Sequence, residues 1–419
     1  MTIFADLESE VRSYSRLWPV MFDRAAGSRL YSEDGRPYLD FFTGAGALNY
    51  GHNDPHLKQA LLDYIVRDGV SHALDMFTVA KRDFLEALQD VLLAPRGLEY
   101  KVVFPGPGGA NAVEAALKLA RRVTGRQSVV SFTNSFHGMT LGALSVSGNR
   151  GKRAAAGVAL TLASALPYDG YPGIRESGPC HLDRLLSDAG SGLDRPAAVI
   201  VETVQGEGGL RAADAGWLRE LADVCARHEV LLIVDDVQMG CGRTGPFFSF
   251  EDAGITPDMV CLSKSIGGFG LPLALTLIRP ELDVWQPGDH NGTFRGVSAS
   301  FVTGAQALRS YWSDGTLEKS VREQGDRIAG ALAAVVEEHP DAGLEVRGRG
   351  FAAGLRLPAP GAARAVCAAA FDNGLLMETS GAADDVVKLL PPLTISDDDL
   401  SEGLVTIRHC VGQVLARSK

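Results

Sequence analysis

The chain has 419 residues, more than the roughly 250–300 over which one core keeps growing, so one large and one smaller domain are expected. Its 46% hydrophobic and 22% charged residues are ordinary for a globular protein. A net charge of −11 and a pI near 5.3 argue against nucleic acid and against an anionic membrane as partner, though a local basic pocket for anionic substrates remains open.

The opening stretch MTIFADLESEVRSY is polar and acidic, so no signal peptide is expected. No segment reaches the roughly 20 apolar residues that a membrane span needs. Six cysteines, Cys180, Cys225, Cys241, Cys261, Cys367 and Cys410, include no C-x-x-C pair. They read as free thiols of a reducing, cytoplasmic compartment.

Gly27–Phe42 reads as a hairpin turning at Asp34-Gly35. Apolar runs then recur at Tyr100–Phe104, Ser128–Phe132, Ala197–Val204, Val230–Val234 and Met259–Leu262. Their near-continuous hydrophobicity suits strands covered on both faces. Between them, Asn111–Val123 and Gly216–His228 carry apolar residues at helical spacing. This alternation predicts an α/β fold, a mostly parallel sheet with helices on both faces. From about Leu308 a long charged helix is expected, followed by the short strands VRGRGFAAGLRL and VVKLLPPL. Residues 51–310 are assigned to the large domain and 311–419 to a small α+β domain, with residues 1–50 packing on the small one.

Ligands of such sheets bind beyond the carboxyl ends of the strands. Asp235 follows an apolar strand, where it either caps a turn or stands as a partly buried carboxylate in need of a cation. Asp236 lies one residue further into the turn and is the weaker candidate. Lys264 follows Met259–Leu262 and precedes Gly267, Gly268 and Gly270. It is either an exposed turn lysine or an amine activated by desolvation for covalent attachment to a carbonyl. GPGGAN at 106–111 feeds a helix N-terminus, a general anion site. It matches neither a nucleotide P-loop nor a dinucleotide fingerprint. Phe136 and His137 end another strand, and Glu202 and Glu207 close a third; packing or a surface turn would explain these equally well. The scattered histidines and the lack of H-E-x-x-H predict no metal site.

Taken together, DDVQMGCGRTG at 235–245, SKSIGGFGLP at 263–272 and SFTNSFHGMTLGALS resemble the class III (ornithine/4-aminobutyrate-type) aminotransferases of pyridoxal-phosphate (PLP) fold type I. The resemblance runs over nearly the whole chain. It implies that Lys264 carries PLP, that Asp235 pairs with the pyridine nitrogen and that Gln238 reaches the phenolic oxygen. It implies that Phe136 stacks on the ring with His137 beside it, and that Gly109 and Ala110 form the phosphate turn. Thr293 would reach the phosphate of the neighbouring subunit, so a homodimer or higher homo-oligomer is implied. Glu202 and Glu207 would lie on the substrate side; in relatives the second gates a substrate-binding arginine. The partners implied are small amino and oxo acids. The branch resembled most passes the amino group of L-glutamate to L-aspartate 4-semialdehyde. The alternatives are transamination of 4-aminobutyrate or ornithine, other PLP chemistry, or a binding protein without catalysis.

Four positions depart from the pattern. Gly108 and Ala110 stand where the family usually carries Ser or Thr, which predicts weaker cofactor binding. Lys388 stands where ornithine-type relatives have the gating arginine, and lacks its two-pronged geometry. Ala45 replaces a tyrosine near the substrate, which widens the pocket.

Overall fold

The computed structural model describes residues 2–174 and 176–417. Its centre is a seven-stranded sheet in the order Lys101–Val103, Leu275–Ile278, Met259–Leu262, Leu231–Asp235, Ala198–Val201, Val129–Phe132, Ala163–Leu166. Only Leu275–Ile278 runs against its neighbours; the other pairings are parallel. The strands Val129–Phe132, Ala198–Val201, Met259–Leu262 and Leu275–Ile278 are buried at every position, as a sheet covered on both faces requires.

The flanking helices begin where local chemistry allows. Gly109–Thr124 starts behind Gly108, whose amide donates to Asn111 Oδ1 at 3.0 Å, and ends on left-handed Gly125. Ala215–Arg227 is capped by Asp214, which accepts from Gly216 N. Their apolar faces pack on the sheet: Val113, Leu117 and Ala120 from the first, Leu218, Leu221 and Cys225 from the second.

A second, antiparallel sheet is formed by Glu345–Arg349, Ala352–Arg356, Val386–Leu389 and Glu378–Ser380. It packs with helices Thr316–Glu338 and Ala362–Asp372, both of which also meet Asp397–Arg417. A third sheet joins the two ends of the chain: Phe22–Ala26, Arg29–Ser32 and Pro37–Asp40 continue into Leu375–Leu376. Arg29 reinforces this junction with ion pairs of 2.6 Å to both Asp399 and Glu402.

The hairpin expected at Gly27–Phe42 forms from Arg29–Ser32 and Pro37–Asp40, and a further strand precedes it. The charged helix begins at Thr316, not near Leu308, which belongs to the separate helix Ser298–Tyr311. Leu275–Ile278 was not anticipated: it follows Leu271-Pro272 without a helix between, so the alternation rule does not reveal it.

Candidate active site

Asp235 and Lys264 leave the carboxyl ends of adjacent parallel strands, in which Asp235 pairs with Cys261. Both line one pocket, together with Gly109, Ala110, Phe136, His137, Glu202, Glu207 and Gln238. The pocket thus gathers residues from four strand ends of the central sheet and one helix N-terminus.

Asp235 is buried, and its Oδ2 lies 2.7 Å from Nδ1 of the fully buried His137. Burial works against the imidazolium, yet the hydrogen bond and charge of Asp235, with Glu202, raise the His137 pKa above its ordinary value. Asp236 turns away: it accepts from Ser249 N at 3.0 Å and from the Ser249 hydroxyl, and burial lifts its pKa to about 7. Glu202 accepts from Phe136 N at 2.9 Å, and burial lifts its pKa to about 7.

Lys264 is partly buried and holds a φ of +53°, rare for a residue with a Cβ. Its Nζ donates to the Ala45 carbonyl at 2.7 Å. Burial pulls its pKa down to about 8. The same carbonyl accepts from Gln238 Nε2 at 3.1 Å. Ala45 sits inside four successive residues of positive φ, Thr43 to Gly46. From within this left-handed run the carbonyl meets both side chains. Sequence reading noticed Ala45 for its small side chain and missed its backbone.

Lys388 is fully buried and lies 2.7 Å from Glu207 and 2.8 Å from Glu378. Burial alone would discharge it; the two carboxylates instead hold its pKa well above the ordinary lysine value. Burial opposes ionisation of Glu207, but Lys388 beside it keeps its pKa below the usual carboxylate range. Glu378 was not anticipated, although Glu378 and Lys388 are direct cross-strand partners. A lysine inside VVKLL requires a carboxylate of this kind.

Thr293 is exposed on the short turn Thr293–Arg295, beside exposed Phe294, and does not share this pocket.

The residues fit PLP. His137 Nε2 and Gln238 Oε1 are buried without partners, so the pocket wall carries unmet polar capacity. A Cβ on Gly109 would lie 2.7 Å from Val237, so only glycine keeps the helix N-terminus this close to the strand end. That terminus supplies backbone N–H groups for an anion, a carboxylate stands at Asp235, and a lysine of lowered pKa stands at 264.

The aminotransferase class-III family model matches residues 11–411. Diaminobutyrate–2-oxoglutarate transaminase of Nocardia farcinica is 61% identical over 98% of this chain and 94% of its own. The enzymes of that name from Streptomyces anulatus and Halalkalibacterium halodurans are 59% and 56% identical, each over 98% of this chain and over 97% and 96% of their own. Among solved structures, ornithine aminotransferase from Toxoplasma gondii superposes with a TM-score of 0.85 at 24% identity, covering 99% of this chain and 95% of that one. A transaminase from the marine bacterium Virgibacillus gives 0.87 at 19%, over 100% and 99%. These two likenesses speak to the fold, PLP fold type I.

Proposed function

The chain belongs to the class-III aminotransferases, and on that premise we propose that L-glutamate donates its amino group to L-aspartate 4-semialdehyde here, giving L-2,4-diaminobutyrate and 2-oxoglutarate. The enzyme is a PLP-dependent transaminase. The observation that carries the reading is the convergence of a buried carboxylate, Asp235, and an amine of lowered pKa, Lys264, on one pocket.

When bound, PLP supplies a carbonyl that takes up the amine and a ring that accepts electrons as the substrate carbon loses its proton. We assign the chain's residues as follows. Lys264 Nζ would anchor the cofactor and, as a free amine, would carry the proton to and from the substrate carbon. Its lowered pKa leaves a useful neutral fraction near neutral pH. Asp235 holds positive charge on the ring nitrogen, and His137 fixes that carboxylate in place. Gln238 serves the phenolic oxygen and Phe136 one face of the ring. Gly109 and Ala110 N–H groups hold the phosphate at the helix N-terminus. Glu202, Glu207 and Lys388 form the substrate side.

Thr293, exposed on its own subunit, is assigned to the phosphate of a partner's cofactor, which makes the working unit a homodimer or a larger homo-oligomer. None of the six cysteines pairs, which supports a cytoplasmic setting. No helix among the described residues is long and apolar enough to cross a membrane. The diaminobutyrate formed would feed ectoine or another diaminobutyrate-derived product.

A donor and acceptor panel tests the reading. Diaminobutyrate with 2-oxoglutarate should give glutamate faster than 4-aminobutyrate or ornithine does. Preference for either of the latter would refute it.

A further inference from the structure

Three ammonium groups bear on Glu207: Lys388, Lys264 and Lys152. The first is sealed between two carboxylates and the second is reserved for the cofactor. Lys152 is different. Its side chain is 37% exposed, its Nζ lies 4.0 Å from the centroid of the Phe136 ring, and its closest carboxylate oxygen is Glu207 Oε2 at 3.8 Å. A pair this loose and this solvated contributes little, so either member can exchange its partner at low cost. The backbone that carries Lys152 is nevertheless anchored. Asn149 caps its short helix by accepting from Lys152 N at 2.9 Å, and Arg153 is pinned to the Leu144, Ser145 and Ser147 carbonyls. The cleft beneath Lys152 shares Phe136 and Glu207 with the cofactor pocket.

The substrates of the reaction proposed above share a geometry that matches this pair. Counted from the reacting carbon, glutamate and diaminobutyrate both carry a carboxylate at the fourth carbon. Diaminobutyrate adds an ammonium at the third, as does aspartate 4-semialdehyde. We infer that Lys152 and Glu207 form the seat for the far end of the substrate: Lys152 takes the distal carboxylate and Glu207 the ammonium beside it. Without substrate Lys152 lies 3.8 Å from Glu207 Oε2, while Lys388 holds Glu207 Oε1. An arriving zwitterion inserts between them and gives each an opposite charge, so the net charge of the pocket stays constant. Glutamate lacks that ammonium, engages Lys152 alone and leaves Glu207 with Lys388. The inference rests on the diaminobutyrate reading.

Half-reactions of the PLP-loaded enzyme with three amines test it: diaminobutyrate, 4-aminobutyrate (which lacks the second ammonium) and 1,3-diaminopropane (which lacks the carboxylate). In Lys152→Met, kcat/KM for diaminobutyrate relative to diaminopropane should fall about ten-fold or more, the scale of a lost bond to a charged group. Lys152→Arg should hold that ratio near wild type. Glu207→Gln should lower the ratio of diaminobutyrate to 4-aminobutyrate by a similar factor. Unchanged ratios in Lys152→Met would overturn the seat while leaving the transaminase reading intact. A wild-type enzyme that does not turn over diaminobutyrate would overturn that reading itself.

Discussion

Replacing Lys388 by methionine isolates the buried charge between Glu207 and Glu378. Methionine has nearly the length and volume of the lysine stem, so the change removes an ammonium without opening a large cavity. Lys388 is fully buried and neutralises both Glu207 and Glu378, at 2.7 and 2.8 Å. Its loss leaves two largely buried carboxylates without their cation. Removing one partner of a buried ion pair destabilises by about 3–5 kcal/mol, and this is the expected loss. The pH dependence has a definite sign. Glu207 is held below the ordinary carboxylate pKa, so the wild type keeps its stabilisation above that ordinary value and loses it as pH falls through the depressed one. The pKa of Lys388 is raised, so its contribution is complete below the ordinary lysine value and lost only as pH rises past the raised one. In the variant Glu207 loses the ammonium that holds its pKa down and binds a proton more readily in the folded state, so the deficit should shrink between pH 7 and pH 5. Urea titrations, with stability taken from midpoint and slope, measure both effects. A second substitution, Glu378→Gln, should restore about 1 kcal/mol or more by removing one of the two like charges. A loss below about 1 kcal/mol, or a double variant no better than the single one, would show that Lys388 is not held by this pair of acids.

Recapture of PLP by the apo-protein should speed up with pH. Burial lowers the Lys264 pKa to about 8, and only its neutral amine attacks a carbonyl. The rate should climb about ten-fold per pH unit below that value and level off above it; stopped-flow absorbance measures this, and a flat profile would contradict the assignment. Restoring a hydroxyl with Ala110→Thr at the N-terminus of Gly109–Thr124 should tighten PLP about ten-fold or more, since a hydrogen bond to a charged group contributes about 1.5–3 kcal/mol. Equilibrium dialysis before and after the substitution gives the answer, and an unchanged dissociation constant would refute it.

The parts of the site that could be read in the sequence are those tied to strand ends. Asp235 and Lys264 were legible because a polar residue that ends a fully apolar strand stands where open α/β sheets bind ligands. The Gly-rich turn before Gly109–Thr124 was legible for its helix N-terminus. Lys388 emerged from the family pattern, but its second partner Glu378 depends on the pairing of Glu378–Ser380 with Val386–Leu389. A sequence does not print that register. Lys152 lies on a five-residue helix outside the sheet, with no periodic signal to mark it. The antiparallel strand Leu275–Ile278 was missed because βαβ alternation predicts parallel neighbours only.

The least legible element is the Ala45 carbonyl, and the reason is energetic. Thr43, Ala45, Cys241 and Lys264 all hold positive φ, a conformation costing roughly 1–3 kcal/mol for each non-glycine residue. No local preference selects it, so tertiary contacts must. They are present. The fully buried Arg243 donates to Pro391 O, to Asn49 Oδ1 and, at 3.4 Å, to Thr43 Oγ1. Asn49 Nδ2 donates to Cys241 O at 2.8 Å, and Asn49 N to Ser265 Oγ at 3.2 Å. Ser265 Oγ in turn donates to Gly46 O at 2.8 Å. One arginine, one asparagine and one serine therefore join the segments around residues 43–49, 241–243, 265 and 391. Burial depresses the Arg243 pKa to about 9, so the network forgoes some of the stability a solvated arginine would keep. What it secures is a fixed carbonyl 2.7 Å from Lys264 Nζ. These contacts join segments that are not neighbours in sequence, so the strained turn is held by tertiary structure and not by local preference.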